Sequence, residues 1–118
     1  MARYRVPVTV VVLNNRSYNN ERNRIWNSGG RQFKTGRDMT CYNGDPDVDF
    51  AKAASAFGVE GEVVKEPADV KAAILRAQRV NADGRPYLLD IHTQRDGIGA
   101  ASTWHPAYSV AAIRQRRV

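Results

Sequence analysis

The sequence predicts an α/β fold: a small parallel sheet covered by helices, in a three-layer arrangement. Two apolar runs and two helical periods carry that prediction. Val8 to Leu13 (VTVVVL) and Pro86 to Ile91 (PYLLDI) are stretches of strand length, the second interrupted only by Asp90. Between them, Asp47 to Gly58 and Pro67 to Asp83 repeat apolar residues at helical spacing. Helices that alternate with strands imply parallel pairing through right-handed crossovers.

Taken in order, Tyr4 to Pro7 leads in, and Pro7 is tolerated where a strand begins. Val and Thr are stiff at χ1 and suit a pleated surface, so the run after Pro7 is the first strand. It lacks polar alternation, which predicts burial on both faces. Ser17 to Trp26 sets Tyr18, Arg22, Ile25 and Trp26 near helical spacing and reads as a short helix stopped by Ser28-Gly29-Gly30. Gly30 to Gly44 shows no period and reads as a long loop.

The next helix runs from Asp47 to Gly58. Asp45 or Asp47 caps it, Asp49 lies in its first turn, and Phe50, Ala53, Ala54 and Phe57 form its apolar face. Gly58 supplies the stop. A short strand follows within Val59–Val64, centred on Glu62–Val64. Pro67 then opens a second helix, whose stripe is Val70, Ala73, Ile74, Ala77 and Val80. It ends by Asp83-Gly84, and Pro86 to Ile91 is the third strand. Beyond His92 the periodicity fades, with Tyr108 to Arg114 as a last short helix before a basic tail.

The totals narrow the class. A chain of 118 residues, 42% hydrophobic and 25% charged, has the composition of one globular domain. Its longest apolar run is far short of a bilayer span, and no secretory leader is evident, so the expectation is a soluble cytoplasmic protein with no membrane partner. Cys41 is the single cysteine, which excludes an internal disulfide and a thiolate metal cluster. The net charge of +6 is uneven: residues 1–37 carry eight Lys/Arg against Glu21 alone. That field is compatible with a phosphate-bearing ligand, a nucleic acid, a solvated surface or a partner seam, since charge blocks are only weakly diagnostic. Nucleic-acid binding is the weakest of these readings, because no recognition fold or aromatic-basic motif accompanies the charge.

In open α/β sheets ligands sit beyond the carboxyl ends of strands, where Asn14, Asn15, Arg16 and Ser17 fall. An isolated Asn pair after a strand is by itself a turn signal. Three segments in order give this one more meaning. ARYRVPVTVVVLNNRSY resembles the segment leading into the metal- and diphosphate-binding motif of thiamine-diphosphate-dependent enzymes of the acetolactate synthase and benzoylformate decarboxylase group. DVDFAKAASAFG resembles the recurring helix of the same domain, and RPYLLDIHT its closing strand. The likeness reaches about Gln94. It implies a partial thiamine-diphosphate-binding domain over residues 1–94, similar to the latter half of that domain, with a tail over 95–118.

The resemblance implies thiamine diphosphate and Mg²⁺ as cofactors. In that family the metal takes an Asp from an upstream Gly-Asp-Gly, an Asn side-chain oxygen and a backbone carbonyl two residues further on. Carried over, Asn15 supplies the side chain and Ser17 the carbonyl, while Asn14 shapes the turn and Tyr18 walls the cofactor cleft. Hard oxygens of this kind suit Mg²⁺. The departure is equally clear: no Gly-Asp-Gly precedes Asn14 in these residues, and Gly44-Asp45-Pro46, Ala82-Asp83-Gly84 and Arg95-Asp96-Gly97 stand in the wrong order and context.

Catalytic residues are not assigned. The glutamate that activates the cofactor belongs to a separate pyrimidine-binding domain in that family, and Glu21, Glu60, Glu62 and Glu66 read as surface or helix-end residues. His92 follows the last strand and could face the sheet's carboxyl end; His105 lies 13 residues away with no helical pairing. Neither completes a triad with Ser17, for lack of a nucleophile elbow. The expectation is a truncated relative of enzymes that act on 2-oxo acids, not competent alone. The alternative is a non-catalytic, self-associating module. In either case a homo-oligomer or a partner subunit covers the incomplete sheet.

Overall fold

A computed structural model describes residues 1–22, 29, 31–35 and 41–94. In chain order its elements are β1 (Thr9–Asn14), α1 (Arg31–Thr35), α2 (Phe50–Ala56), β2 (Glu60–Val64), α3 (Val70–Ala82) and β3 (Tyr87–His92), with 3-10 turns at Ala2–Tyr4 and Pro67–Asp69. The chain divides into two compact units, residues 1–15 with 47–93, and residues 16–46 with 94–118.

The first unit is built on a three-stranded sheet of order β1-β3-β2. Both pairings are parallel, with Thr9 opposite Tyr87 and Glu60 opposite the same residue on the other side. The small parallel α/β architecture expected from the sequence is the one observed. Side chains alternate along each strand, so one face carries Thr9, Tyr87, Leu89 and Ile91 and the other Leu88, Asp90 and His92.

α3 covers the first face. Ala73 and Ala77 are fully buried against Val64, Tyr87 and Leu89, with Val70, Val80 and Ile91 packed around them. Two alanines per turn-pair let the helix approach closely. Pro67 starts the preceding turn as its spacing required. The expected stripe is kept except at Ile74, which is 42% exposed. Ile74 lies two turns before Asn81 on one stripe, and Asn81 is the residue that reaches β1, accepting from Thr9 Oγ1 at 2.5 Å.

α2 packs on the opposite face against β2 and β3. Asp49, not Asp45 or Asp47, is its cap: the carboxylate accepts from Lys52 N at 2.7 Å. The buried residues are Ala51 and Ala54, a different phase from the Phe50–Ala53–Ala54–Phe57 face read from the sequence. Phe57 is 80% exposed because the helix stops at Ala56 and Phe57 has left its period. Gly61 of β2 is required by closeness: a Cβ there would stand 2.7 Å from the Leu88 carbonyl oxygen.

The first strand departs from the expectation of two-sided burial. Val11 and Leu13 are 49% and 68% exposed. β1 is an edge strand, and α3 meets it mainly at its amino end through Thr9 and Asn81, so the carboxyl half of that face lacks a cover among the described residues.

In the second unit, residues 19–22 are helical, agreeing with the start of the short helix expected there; Ile25 and Trp26 lie outside the described residues. α1 falls inside the stretch read as a loop, with Thr35 Oγ1 donating to the Arg31 carbonyl at 3.0 Å. Its five residues are too few to show a period. The last helix expected at Tyr108 to Arg114 lies outside the described residues.

Candidate cofactor-binding site at the carboxyl end of β1

Asn14 ends β1 opposite His92, and its carbonyl accepts from Thr93 N at 2.9 Å. The strand therefore stays paired to its last residue, and the Asn14 side chain is buried at 6% exposure. Asn15, half-buried, is the first residue beyond the sheet and the last of the first unit. The pair thus stands where parallel α/β sheets hold ligands.

The chain turns at Arg16, whose φ of 56° is left-handed. Ser17 and Tyr18 belong to the second unit. There Ser17 bridges Tyr42 in antiparallel fashion, through flanking bonds from Asn43 N to the Arg16 carbonyl at 2.7 Å and from Tyr18 N to the Cys41 carbonyl at 2.8 Å. This is the non-hydrogen-bonded type of pair, so the Ser17 carbonyl points away from Tyr42. The Ser17 hydroxyl donates to the Cys41 carbonyl at 2.9 Å and so has a structural task. Cys41 is buried. Tyr18 is 62% exposed.

Donor chemistry decides how far these residues fit a magnesium diphosphate. An Asn amide oxygen and an outward-pointing peptide carbonyl are neutral, hard ligands of the right type for Mg²⁺. A carboxylate is not among residues 1–13, and the described residues contain no cluster of three or more His, Cys, Asp or Glu able to hold a metal. The fit is therefore to part of a coordination shell.

Charge is distributed differently in space than along the chain. The first unit, which carries Asn14 and Asn15, has eight Lys/Arg and eight Asp/Glu, so the whole excess of +6 belongs to the second unit. The basic stretch 1–37 is split by the fold at Asn15.

In the sequence His92 stands out at the end of the third strand, while Asp90 is only a polar interruption of it. Asp90 is fully buried: its Oδ2 accepts from Phe50 N at 3.2 Å, and its Oδ1 has no hydrogen-bond partner among the described residues. His92 lies two residues on, with Nε2 3.9 Å from that Oδ2 and a side chain 16% exposed. The signal available was the carboxylate itself, a charged residue in an otherwise apolar strand.

A three-stranded parallel sheet with helices on both faces defines a small α/β domain. Residues 1–91 match the family described as thiamine pyrophosphate enzyme, C-terminal TPP binding domain, and the chain belongs to that family. No solved structure matches it. No helix among the described residues is long and apolar enough to cross a membrane.

Proposed function

We propose that this chain contributes the asparagine-bearing part of a thiamine diphosphate and Mg²⁺ site in a cytoplasmic relative of the carboligases and decarboxylases that act on 2-oxo acids. The observation that carries the reading is the Asn14-Asn15 pair at the carboxyl end of β1, inside the matched region. Asn15 offers its side-chain oxygen to the metal and Ser17 its carbonyl; Asn14 shapes the turn and Tyr18 walls the cleft. Thiamine diphosphate, when bound, supplies the electron sink for bond cleavage or formation next to a carbonyl. The 118 residues by themselves offer neither a carboxylate before Asn14 nor a pyrimidine-binding domain, so the isolated chain is not catalytically competent.

The test is a titration of thiamine diphosphate with Mg²⁺ while thermal stability is followed. Saturable stabilisation that disappears in Asn15→Ala supports the reading. Absence of any shift at roughly millimolar cofactor overturns cofactor binding by this chain alone.

A second reading rests on the exposed edge of β1, where Val11 and Leu13 stand bare. It is a non-catalytic interaction module whose sheet is completed by another copy or a partner subunit. The two readings are compatible, since a site completed by association needs such an edge.

A further inference from the structure

The pairing of β1 with β3 reaches one residue past the strand ends. Thr93 N donates to the Asn14 carbonyl at 2.9 Å, repeating the bond from Tyr87 N to the Val8 carbonyl at the other end of the ladder. Asn14 stands opposite His92, so continued register sets Thr93 level with Asn15. Side chains alternate along strands, which places Asn15 and Thr93 on the face of Leu13 and Ile91. That is the face α3 covers only in part, where Val11 and Leu13 are exposed. Asn15 and Thr93 both belong to the first unit.

α3 brings a cation to the same level. It starts after the carboxyl end of β2 and ends where Asn81 meets Thr9, so it runs against the strands. From Asn81 back to Lys71 is about 15 Å of helix, and from Thr9 to Asn14 about 16 Å of strand, so Lys71 stands level with the end of β1. Lys71, Ile74, Gln78 and Asn81 share one helical stripe, the one Asn81 turns toward β1, whereas Arg76 reaches Glu62 on β2. Helical side chains lean toward the amino terminus, which carries the Lys71 ammonium toward Asn15 and Thr93. Lys71 is exposed and forms no ion pair among the described residues; Asp69, the acid just before it, acts on Arg76 instead. The opposite face disfavours an anion at this level, because the cavity beside His92 has Asp47 and Asp49 in its wall.

We propose that the diphosphate of the cofactor is held on the α3 face, by the Lys71 ammonium and the Thr93 hydroxyl beside Asn15. The placement rests on the cofactor reading above and adds two residues to it. An ammonium is a point charge suited to phosphate oxygens, and a hydroxyl donates one bond to them. Lys71 thus supplies the positive charge that Asn15 and Ser17, as neutral donors, lack.

Calorimetric titration of the full chain with thiamine diphosphate in the presence of Mg²⁺ tests it. Lys71→Met is expected to weaken binding by about tenfold and Thr93→Val by about fivefold. Lys65→Met, an exposed lysine on the face of His92, should leave the affinity unchanged, and thermal unfolding should show all three variants folded. An unchanged affinity in either folded Lys71→Met or folded Thr93→Val overturns the placement while the cofactor reading stands. An equal loss in Lys65→Met also overturns it, since the effect would then be one of overall charge. Absence of binding by the parent overturns both the placement and cofactor binding by this chain alone.

Discussion

Asp90 Oδ2 accepts the Phe50 amide hydrogen at 3.2 Å, tying the middle of the sheet to the first turn of α2 across 40 residues of chain. That amide is one of the unsatisfied donors of a helix start, and Asp49 serves another through Lys52 N. Asp90→Ala is expected to cost about 2–3 kcal/mol, because a buried donor loses its acceptor and a void is left. Asp90→Asn keeps an acceptor for Phe50 and removes an ionisable group from a fully buried place, so it should stay within about 1 kcal/mol of the parent. Urea unfolding of the two variants checks the ordering; an equal loss in both would show that charge, and not the hydrogen bond, matters at this position.

Asn81 joins three parts of the first unit. Its Oδ1 accepts from Thr9 on β1, and its Nδ2 donates to the Arg85 carbonyl at 2.8 Å, in the turn before β3. Asn81→Ala should lose about 1–2 kcal/mol, both partners being part-buried. Thr9→Val keeps the shape and breaks one of the two bonds, so it should lose less. A double-mutant cycle between the two positions should return a coupling of about 0.5–1 kcal/mol, and additive losses would mean that the short contact contributes nothing.

Glu62 receives two bonds from Arg76, Nε to Oε1 at 2.9 Å and Nη2 to Oε2 at 2.6 Å, and a third from the Tyr87 hydroxyl at 3.2 Å. The guanidinium bonds hold the carboxyl below its ordinary value of 4.5, against the effect of burial. Burial, reinforced by the Glu62 carboxylate, pushes the Tyr87 phenol up. A lowered acid in the folded state binds its proton later than in the unfolded chain. Its stabilisation is therefore present above 4.5 and is lost as pH falls through the lower folded value. Arg76 is about half exposed, so the amount is on the order of 1 kcal/mol or less. Comparing unfolding at neutral pH and at about pH 3, Glu62→Gln should show a smaller difference than the parent.

What the sequence disclosed follows from the range of the forces involved. Helix and strand existence is a local matter, and Val70–Ala82, Tyr87–His92 and the Pro67 start were legible from periodicity and backbone chemistry. Facing is not local. Nothing in VTVVVL says how far α3 reaches, so the run predicts burial on both faces although its Val11 and Leu13 are exposed. The phase of α2 departs from the expectation because Phe57 looks like a core residue and sits just past the helix. Asn14 is legible as the end of the first strand, where the apolar run stops, and His92 as the residue that closes the third.

The edge of β1 gives the last prediction. An edge strand exposes unpaired backbone groups, and proteins protect such edges with charges or bulges. β2, the other edge, has that protection: Glu60 pairs with Arg85 and Glu62 with Arg76. β1 reads TVVVLN, without a charge or a proline, and its exposed Val11 and Leu13 share a face with the partly exposed Ile74. The first unit is also electrically balanced, so little within it opposes the approach of a second sheet. Static light scattering should accordingly show a mass that rises with concentration, and Leu13→Lys, placing a cation on the bare face, should return a monomer. Because Leu13 is 68% exposed, that substitution should change stability by no more than about 0.5 kcal/mol, which separates lost association from lost folding. A parent that stays monomeric at every concentration would remove self-association as the way this edge is covered and leave a partner subunit, detectable as a stable heteromeric complex that Leu13→Lys breaks.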